Sequence, residues 1–383
     1  MAKLKTTLYI GGLCLMSSLA TVNASDGPSE FEKKKLSTLS SFSQTKEQHY
    51  DAFEQSKQAY LNAFNQAKQA LAKKWDNPAL TNQTQWVQYS SDDTVKRTVD
   101  FETGAIVIEI LDEDMPPKKV ESIVREQIKE LTEQTTQQAY AKDKVLASNN
   151  VQPPESLAKT KVMSGLNVET VLGSQKKESF TQKNGSHVTR VSMAVSQDTV
   201  NSRAQAYIPY VRQMATKWDI EPALILAIMH TESHFNPMAQ SHIPAYGLMQ
   251  VVPTSAGKDV TKRYLGKEKL LPPEVLFNPE FNIDIGTSYL NILDKHYLKK
   301  VSNDEVRTYL VIASYNGGVG AVAKHFSGKP SLSSLPVAVN ELTATKVFSS
   351  ITEDFPYKET RNYLKKVQDK RRYYSQLLNT QSI

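Results

Sequence analysis

This chain has almost no cysteine: Cys14 is the only one in 383 residues, and it sits inside an apolar N-terminal run. A disulfide framework and cysteine-based metal sites are therefore excluded. No charge-free apolar stretch reaches the roughly 20 residues that a bilayer span requires. There is no His-Glu-x-x-His pattern, because Thr231 follows His230 and Glu232 comes one place later. The spacing of His230, His234 and His242 is read as metal-free, and no metal or cofactor is expected. Internal repeats and low-complexity tracts are missing, as are nucleic-acid-binding motifs. Acids are absent from one particular place: none lies between Glu232 and Asp259.

What is present begins with a pattern for export. Lys3 and Lys5 precede the uncharged run from Leu8 to Leu19, and Val22-Asn23-Ala24 offers small residues for cleavage. The expectation is a signal peptide over 1–24 and a mature chain from Ser25. Leu13 before Cys14 is not the small residue that lipid attachment needs, so a soluble exported protein is expected. Charge is uneven along the chain. From Asn201 onward there are 22 Lys and Arg against 16 Asp and Glu, so the basic excess falls on the C-terminal half. Such a surface suits an anionic polymer.

The mature chain reads as two domains of a multidomain α+β protein, 25–198 and 199–383. In the first, Phe53, Tyr60, Phe64 and Leu71 recur at helical spacing, predicting one long helix from 29 to about 75. Trp86–Tyr89, Val95–Phe101 and Ala105–Ile110 read as strands, the last two joined by a tight turn at Phe101-Glu102-Thr103-Gly104. A helix is expected from Pro117 to Lys142 and a strand from His187 to Val195. Residues 145–185 carry no clear pattern. The second domain reads as mostly α-helical, with helices near 204–217, 222–234, 253–260, 280–298, 304–316, 317–326 and 358–378. Gly-Leu-Met-Gln at 247–250 reads as the entrance to the helix at 253.

On the helix from Pro222, Ile225, Ile228, Met229 and Glu232 share one face. A carboxyl set among Ile and Met resists ionisation, and a raised-pKa acid is what protonation of a glycosidic oxygen demands. Asn236-Pro237 is expected to stop this helix and fold a polar loop back toward the acid.

Four blocks occur in order: Glu232-Ser233-x-x-Asn236-Pro237, Gly247-Leu248-Met249-Gln250, Ser314-Tyr315-Asn316-Gly317-Gly318, and Phe355-Pro356-x-x-Glu359-Thr360-Arg361-x-Tyr363. Together they resemble the soluble lytic transglycosylase (goose-type lysozyme-like) domain family. The long helix, Trp-Val-x-Tyr strand and Val-Asp-Phe-Glu-Thr-Gly hairpin resemble the N-terminal domain of the membrane-bound lytic murein transglycosylase C family. The resemblance implies a lysozyme-like helical catalytic domain in the periplasm, acting on peptidoglycan glycan strands. It implies a lyase in which Glu232 is the single acid and base, with outer-membrane association and cell-wall or outer-membrane protein partners left open. By the same resemblance, Ser233, Ser241, Tyr246, Met249, Gln250, Tyr315, Asn316, Glu359 and Tyr363 are the candidate substrate-binding residues. Two alternatives stand beside this reading. One is a lysozyme-type hydrolase, for which Glu359 is the candidate second carboxylate. The other is a non-catalytic peptidoglycan-binding protein.

Overall fold

The computed structural model describes residues 54–55, 57–111, 115–147, 161–163, 166–195, 198–241 and 244–380. The expected signal segment, the start of the expected long helix, and His242 lie outside them. All described residues fall within one compact unit, Ala52–Ile383.

The described residues open on helix α1 (57–71), whose Tyr60 and Ala63 turn into the core. Three strands follow, β1 (Gln85–Tyr89), β2 (Val95–Asp100) and β3 (Ala105–Leu111). The Phe101–Gly104 turn joins β2 to β3 as read, with Gly104 in the left-handed region at φ 70°. Strands β4 (Lys176–Thr181) and β5 (His187–Ala194) complete an antiparallel sheet of order β1-β2-β3-β5-β4. Alternation assigns its two faces. Trp86, Val99, Ile106, Ile108 and Val191 join the core that helix α2 (Pro117–Glu133) enters through Val120, Val124, Ile128 and Leu131. On the other face Lys96 pairs with Glu109, Glu109 with Arg190, and Arg190 with Glu178. These residues lie opposite one another on neighbouring strands, so the register itself sets an alternating charge row.

The helix expected to run to Lys142 is broken. It stops at Glu133, and α3 (Thr136–Lys142) starts afresh behind a capping box. Thr135 Oγ1 accepts from the Gln138 N–H, and the Gln138 side chain accepts from the Thr135 N–H. Those exchanges satisfy two helix-end donors and favour a new start there. Within the stretch that carried no pattern lie α4 (Val168–Gly173) and β4.

The rest is helical, as expected. Helix α5 (Asp198–Trp218) precedes α6 (Pro222–Ser233), which has every residue from Ala223 to Met229 buried. A helix apolar on all sides must be wrapped by others, and α14 (Lys358–Thr380) packs along it. Between them run α7 (Lys258–Leu265), α8 (Pro273–Leu276), α9 (Pro279–Asn291), α10 (Asp304–Gly317), α11 (Val319–Ser327), α12 (Leu335–Val339) and α13 (Ala344–Ser349). The short helices α8, α12 and α13 lie in segments without an expected element. Among the described helices, none is long and apolar enough to cross a membrane.

Gly247–Gln250 is a turn, not a helix entrance. It closes an isolated bridge between Tyr246 and Val251. The reason is a long-range clasp. Asn282 on α9 is fully buried, donates to the carbonyls of Tyr246 and Leu276 at 2.8 Å, and accepts from the Met249 N–H at 2.8 Å. Gly247 has φ 74°, and a Cβ there would meet Asn282 and the Leu276 carbonyl at 2.5 Å. Asn282→Ala should cost about 3 kcal/mol, because three buried backbone groups lose their partner. Urea unfolding measures this, and a change under about 1 kcal/mol would disprove the clasp.

Candidate active site

Glu232 occupies the last turn of α6. The helix ends at His234 rather than at Asn236-Pro237. His234 and Phe235 both take left-handed backbone, φ 50° and 63°, which side-chain-bearing residues adopt at a cost. Burial of Phe235 offsets it: the ring is 1% exposed, stacks on Tyr207 at 6.3 Å and meets Tyr374 edge-on. Asn236 then takes the Met238 N–H on Oδ1 and donates to the Gln83 carbonyl at 3.3 Å. The chain thus reverses immediately after the acid.

Tyr363 on α14 donates its hydroxyl to Glu232 Oε1 at 2.6 Å. Burial pushes the Glu232 carboxyl up to about 8; the Tyr363 hydrogen bond pulls it down and the nearby Glu359 charge pushes it up. Glu232 is thus a protonated acid at neutral pH that can still ionise. The Tyr315 hydroxyl, held well above its ordinary range by burial and the Glu232 charge, donates to the Met249 carbonyl at 2.8 Å. Asn316 donates to Glu359 at 3.1 Å and accepts from Thr360 at 2.7 Å. Glu359 itself is exposed.

Glu232 lines a cleft of about 500 Å³ together with Ser241 and Lys366. Its opposite wall comes from the N-terminal part: Phe64 of α1, the segment Leu80–Thr84, and Glu102 at the hairpin turn. The expected substrate-binding residues divide in two. Ser241, Tyr315, Asn316, Glu359 and Tyr363 gather around the acid or its cleft. Ser233, Tyr246 and Met249 do not present their side chains there. The Ser233 hydroxyl is buried against the carbonyls of Met229 and Leu248. Tyr246 is 2% exposed, edge-on to Tyr60 and Phe277. Met249 fills the space over Gly286, where a Cβ would lie 2.4 Å from its sulfur. Gln250 holds the turn through Ala239 and Gly247, and its Oε1 is buried without a partner among the described residues.

Glu102, Phe64 and Lys366 were not among the sequence candidates for the site. For Glu102 the only local signal is an acid at a tight turn, and nothing nearby in the chain connects that turn to Glu232. Phe64 shows only helical spacing, and Lys366 belongs to a run of basic residues on the C-terminal helix whose spacing also suits a glycan contact. His230 and His234 are held down to about 3 and about 4 by burial and then by Lys370, so both are neutral above pH 5.

The motif resemblance is borne out. Residues 209–334 match the family model described as Transglycosylase SLT domain. Over 205 residues the chain is 41% identical to the membrane-bound lytic murein transglycosylase C of Actinobacillus pleuropneumoniae serotype 5b, covering 54% of this chain and 55% of that one. Its counterpart in Yersinia pestis is 43% identical over 196 residues, 51% of this chain and 54% of the relative. The chain thus spans about half the length of the curated relatives it matches. Among solved structures, the 70 kDa soluble lytic transglycosylase of Escherichia coli is 28% identical, with a TM-score of 0.36 over 45% of this chain and 24% of that one.

Two outcomes follow from the position of the acid. In Tyr363→Phe the Glu232 carboxyl loses the donor that favours its ionised form, so the alkaline limb of the pH–rate profile should move up by about one unit. An unmoved limb would show that the hydroxyl does not tune the acid. Glu232 has a folded-state pKa above its unfolded value, so its contribution to stability is present below about 4.5 and lost as pH rises to about 8. Glu232→Gln should therefore melt higher than the wild type at pH 9, with the two converging near pH 4. Parallel melting curves at all pH values would contradict the buried-acid account.

Proposed function

We propose that this chain is a peptidoglycan lytic transglycosylase that cleaves the MurNAc-β-1,4-GlcNAc bond without adding water. The observation that carries this reading is the Glu232 carboxyl, kept protonated by burial while a tyrosine hydroxyl stands ready to support its ionised form. Protonated Glu232 donates to the glycosidic oxygen as the anomeric C1–O bond breaks. The substrate N-acetyl group supports the positive charge that develops at the anomeric carbon. The resulting carboxylate, steadied by Tyr363, then takes the proton of the muramoyl 6-hydroxyl as that oxygen bonds to the anomeric carbon. A 1,6-anhydro ring closes and Glu232 is protonated again. The nucleophile is part of the substrate, so its positioning costs little entropy.

Ser241, Tyr315, Asn316 and Glu359 are assigned to glycan binding. Ser233, Tyr246, Met249 and Gln250 are reassigned as supports of the turn behind the cleft, given their burial. We place the enzyme in the periplasmic envelope as an exported protein. The segments 25–198 and 199–383 are taken as its N-terminal and catalytic domains, the first available to cell-wall or outer-membrane proteins.

A hydrolase is the second reading, and one observation favours it: Glu102 lines the same cleft as Glu232. Mass spectrometry of muropeptides released from purified sacculi separates the two. Products ending in 1,6-anhydromuramic acid, absent with Glu232→Gln, are expected. Products heavier by one water, and lost in Glu102→Gln or Glu359→Gln, would replace the lyase by a hydrolase. Normal turnover by Glu232→Gln would remove Glu232 from the chemistry altogether.

A further inference from the structure

A second cavity, of about 630 Å³, opens in the N-terminal part between the end of β1 and the α2–α3 pair. Its volume is within the range of pockets that hold small ligands. Beneath it lies Arg97, 2% exposed, a charged group that must be paired to be buried. Its guanidinium donates to the Gln127 carbonyl at 2.7 Å, to Gln134 Oε1 at 2.9 Å and to Gln88 Oε1. Glu130 stands 3.5 Å away.

This arrangement fixes the orientation of two side-chain amides. A guanidinium has only donors, so Gln88 and Gln134 must both turn their oxygens to it. Their amide nitrogens then point elsewhere, and neither finds an acceptor among the described residues. Both residues are more than nine-tenths buried, and Gln88 lines the cavity.

The acceptors around the cavity are already engaged. Glu130 is held between Arg97 and Lys142. Asp143 accepts from the Val145 N–H at 2.9 Å, the Leu146 N–H at 3.0 Å and Gln240 Nε2 at 3.0 Å. Lys142 and Lys144 also line the cavity beside Ala141 and Ala147, Lys142 paired with Glu130 and Lys144 with Asp93 at 2.6 Å, so the donor left without a partner is the Gln88 amide. The complement is a ligand with an acceptor for the Gln88 amide and small apolar groups against Ala141 and Ala147. Asp143, in the wall of this cavity, holds Gln240, which lines the Glu232 cleft, so the two cavities back onto each other across one hydrogen bond.

We propose that this cavity is a second binding site, taking the carboxylate-bearing peptide stem of the polymer whose glycan is cleaved at Glu232. It rests on the peptidoglycan reading above. Amide carbonyls and free carboxylates supply the acceptors, and alanine methyls supply the apolar contacts.

The test is calorimetric titration of the stem tetrapeptide L-Ala-γ-D-Glu-meso-diaminopimelyl-D-Ala into the chain from Ser25 carrying Glu232→Gln, so that cleavage plays no part. Gln88→Glu keeps an acceptor for Arg97 while replacing the amide donor with an anion. Ala141→Trp fills the cavity from an exposed position and leaves the core untouched. Each should weaken peptide binding about tenfold or more while binding of a peptide-free glycan stays unchanged. Absence of peptide binding, binding that neither variant alters, or an equal loss of glycan binding would overturn the proposal. Failure of the functional reading would show separately, as the wrong products from sacculi with Gln88 intact.

Discussion

The cost of burying one carboxyl organises this molecule. An ionised Glu232 would be expensive in the surroundings that α6 provides, so the group keeps its proton to well above the ordinary range. Around it, Tyr363, Tyr315 and the Asn316–Glu359 pair come from α10 and α14, elements separated from α6 by much of the chain. The wrapping of α6 by α14 is thus both a packing solution and a chemical one. It hides the apolar sides of the helix and brings the tyrosine hydroxyl to its polar end.

The N-terminal sheet takes part in the same construction. Arg203 of α5 donates to the Phe101 carbonyl at 3.0 Å and lies over the Phe101 ring at 4.9 Å. Tyr60 donates to Gln240 Oε1 at 3.3 Å, and Asp143 accepts from the same side chain. Gln240 sits beside Ser241 in the loop that faces the acid, so the loop is gripped from the N-terminal side while Asn282 grips it from the C-terminal side. Neither grip alone defines the cleft, because its two walls belong to different halves of the chain.

Much of this was legible in the sequence, for physical reasons that differ from place to place. Glu232 stood out because its apolar helix and the following polar loop are contiguous, so the local pattern contains the chemistry. The strands of the sheet were legible from alternation and β-branched content. The α2–α3 break was readable too, since Thr135 and Gln138 form a capping box, but continuous helical periodicity masked it. Tyr246 and Met249 were read as ligand contacts because they stand in the motif. They fill space behind it, and only the packing of α9 and Phe277 reveals that. Gly247–Gln250 became a turn through Asn282, and Glu102 reached the cleft through the sheet. No local pattern reports such partners.

The hydrogen bonds from Gln240 and Arg203 across to the N-terminal half bear on how such a chain can change over time. A recombination that transferred residues 199–383 alone would carry the acid intact but leave Arg203, 5% exposed here, without its cover. It would also strip Gln240 of both its side-chain partners. The helical half is therefore not a free-standing cassette, and any lineage that exchanged its neighbour would first have had to neutralise these two side chains.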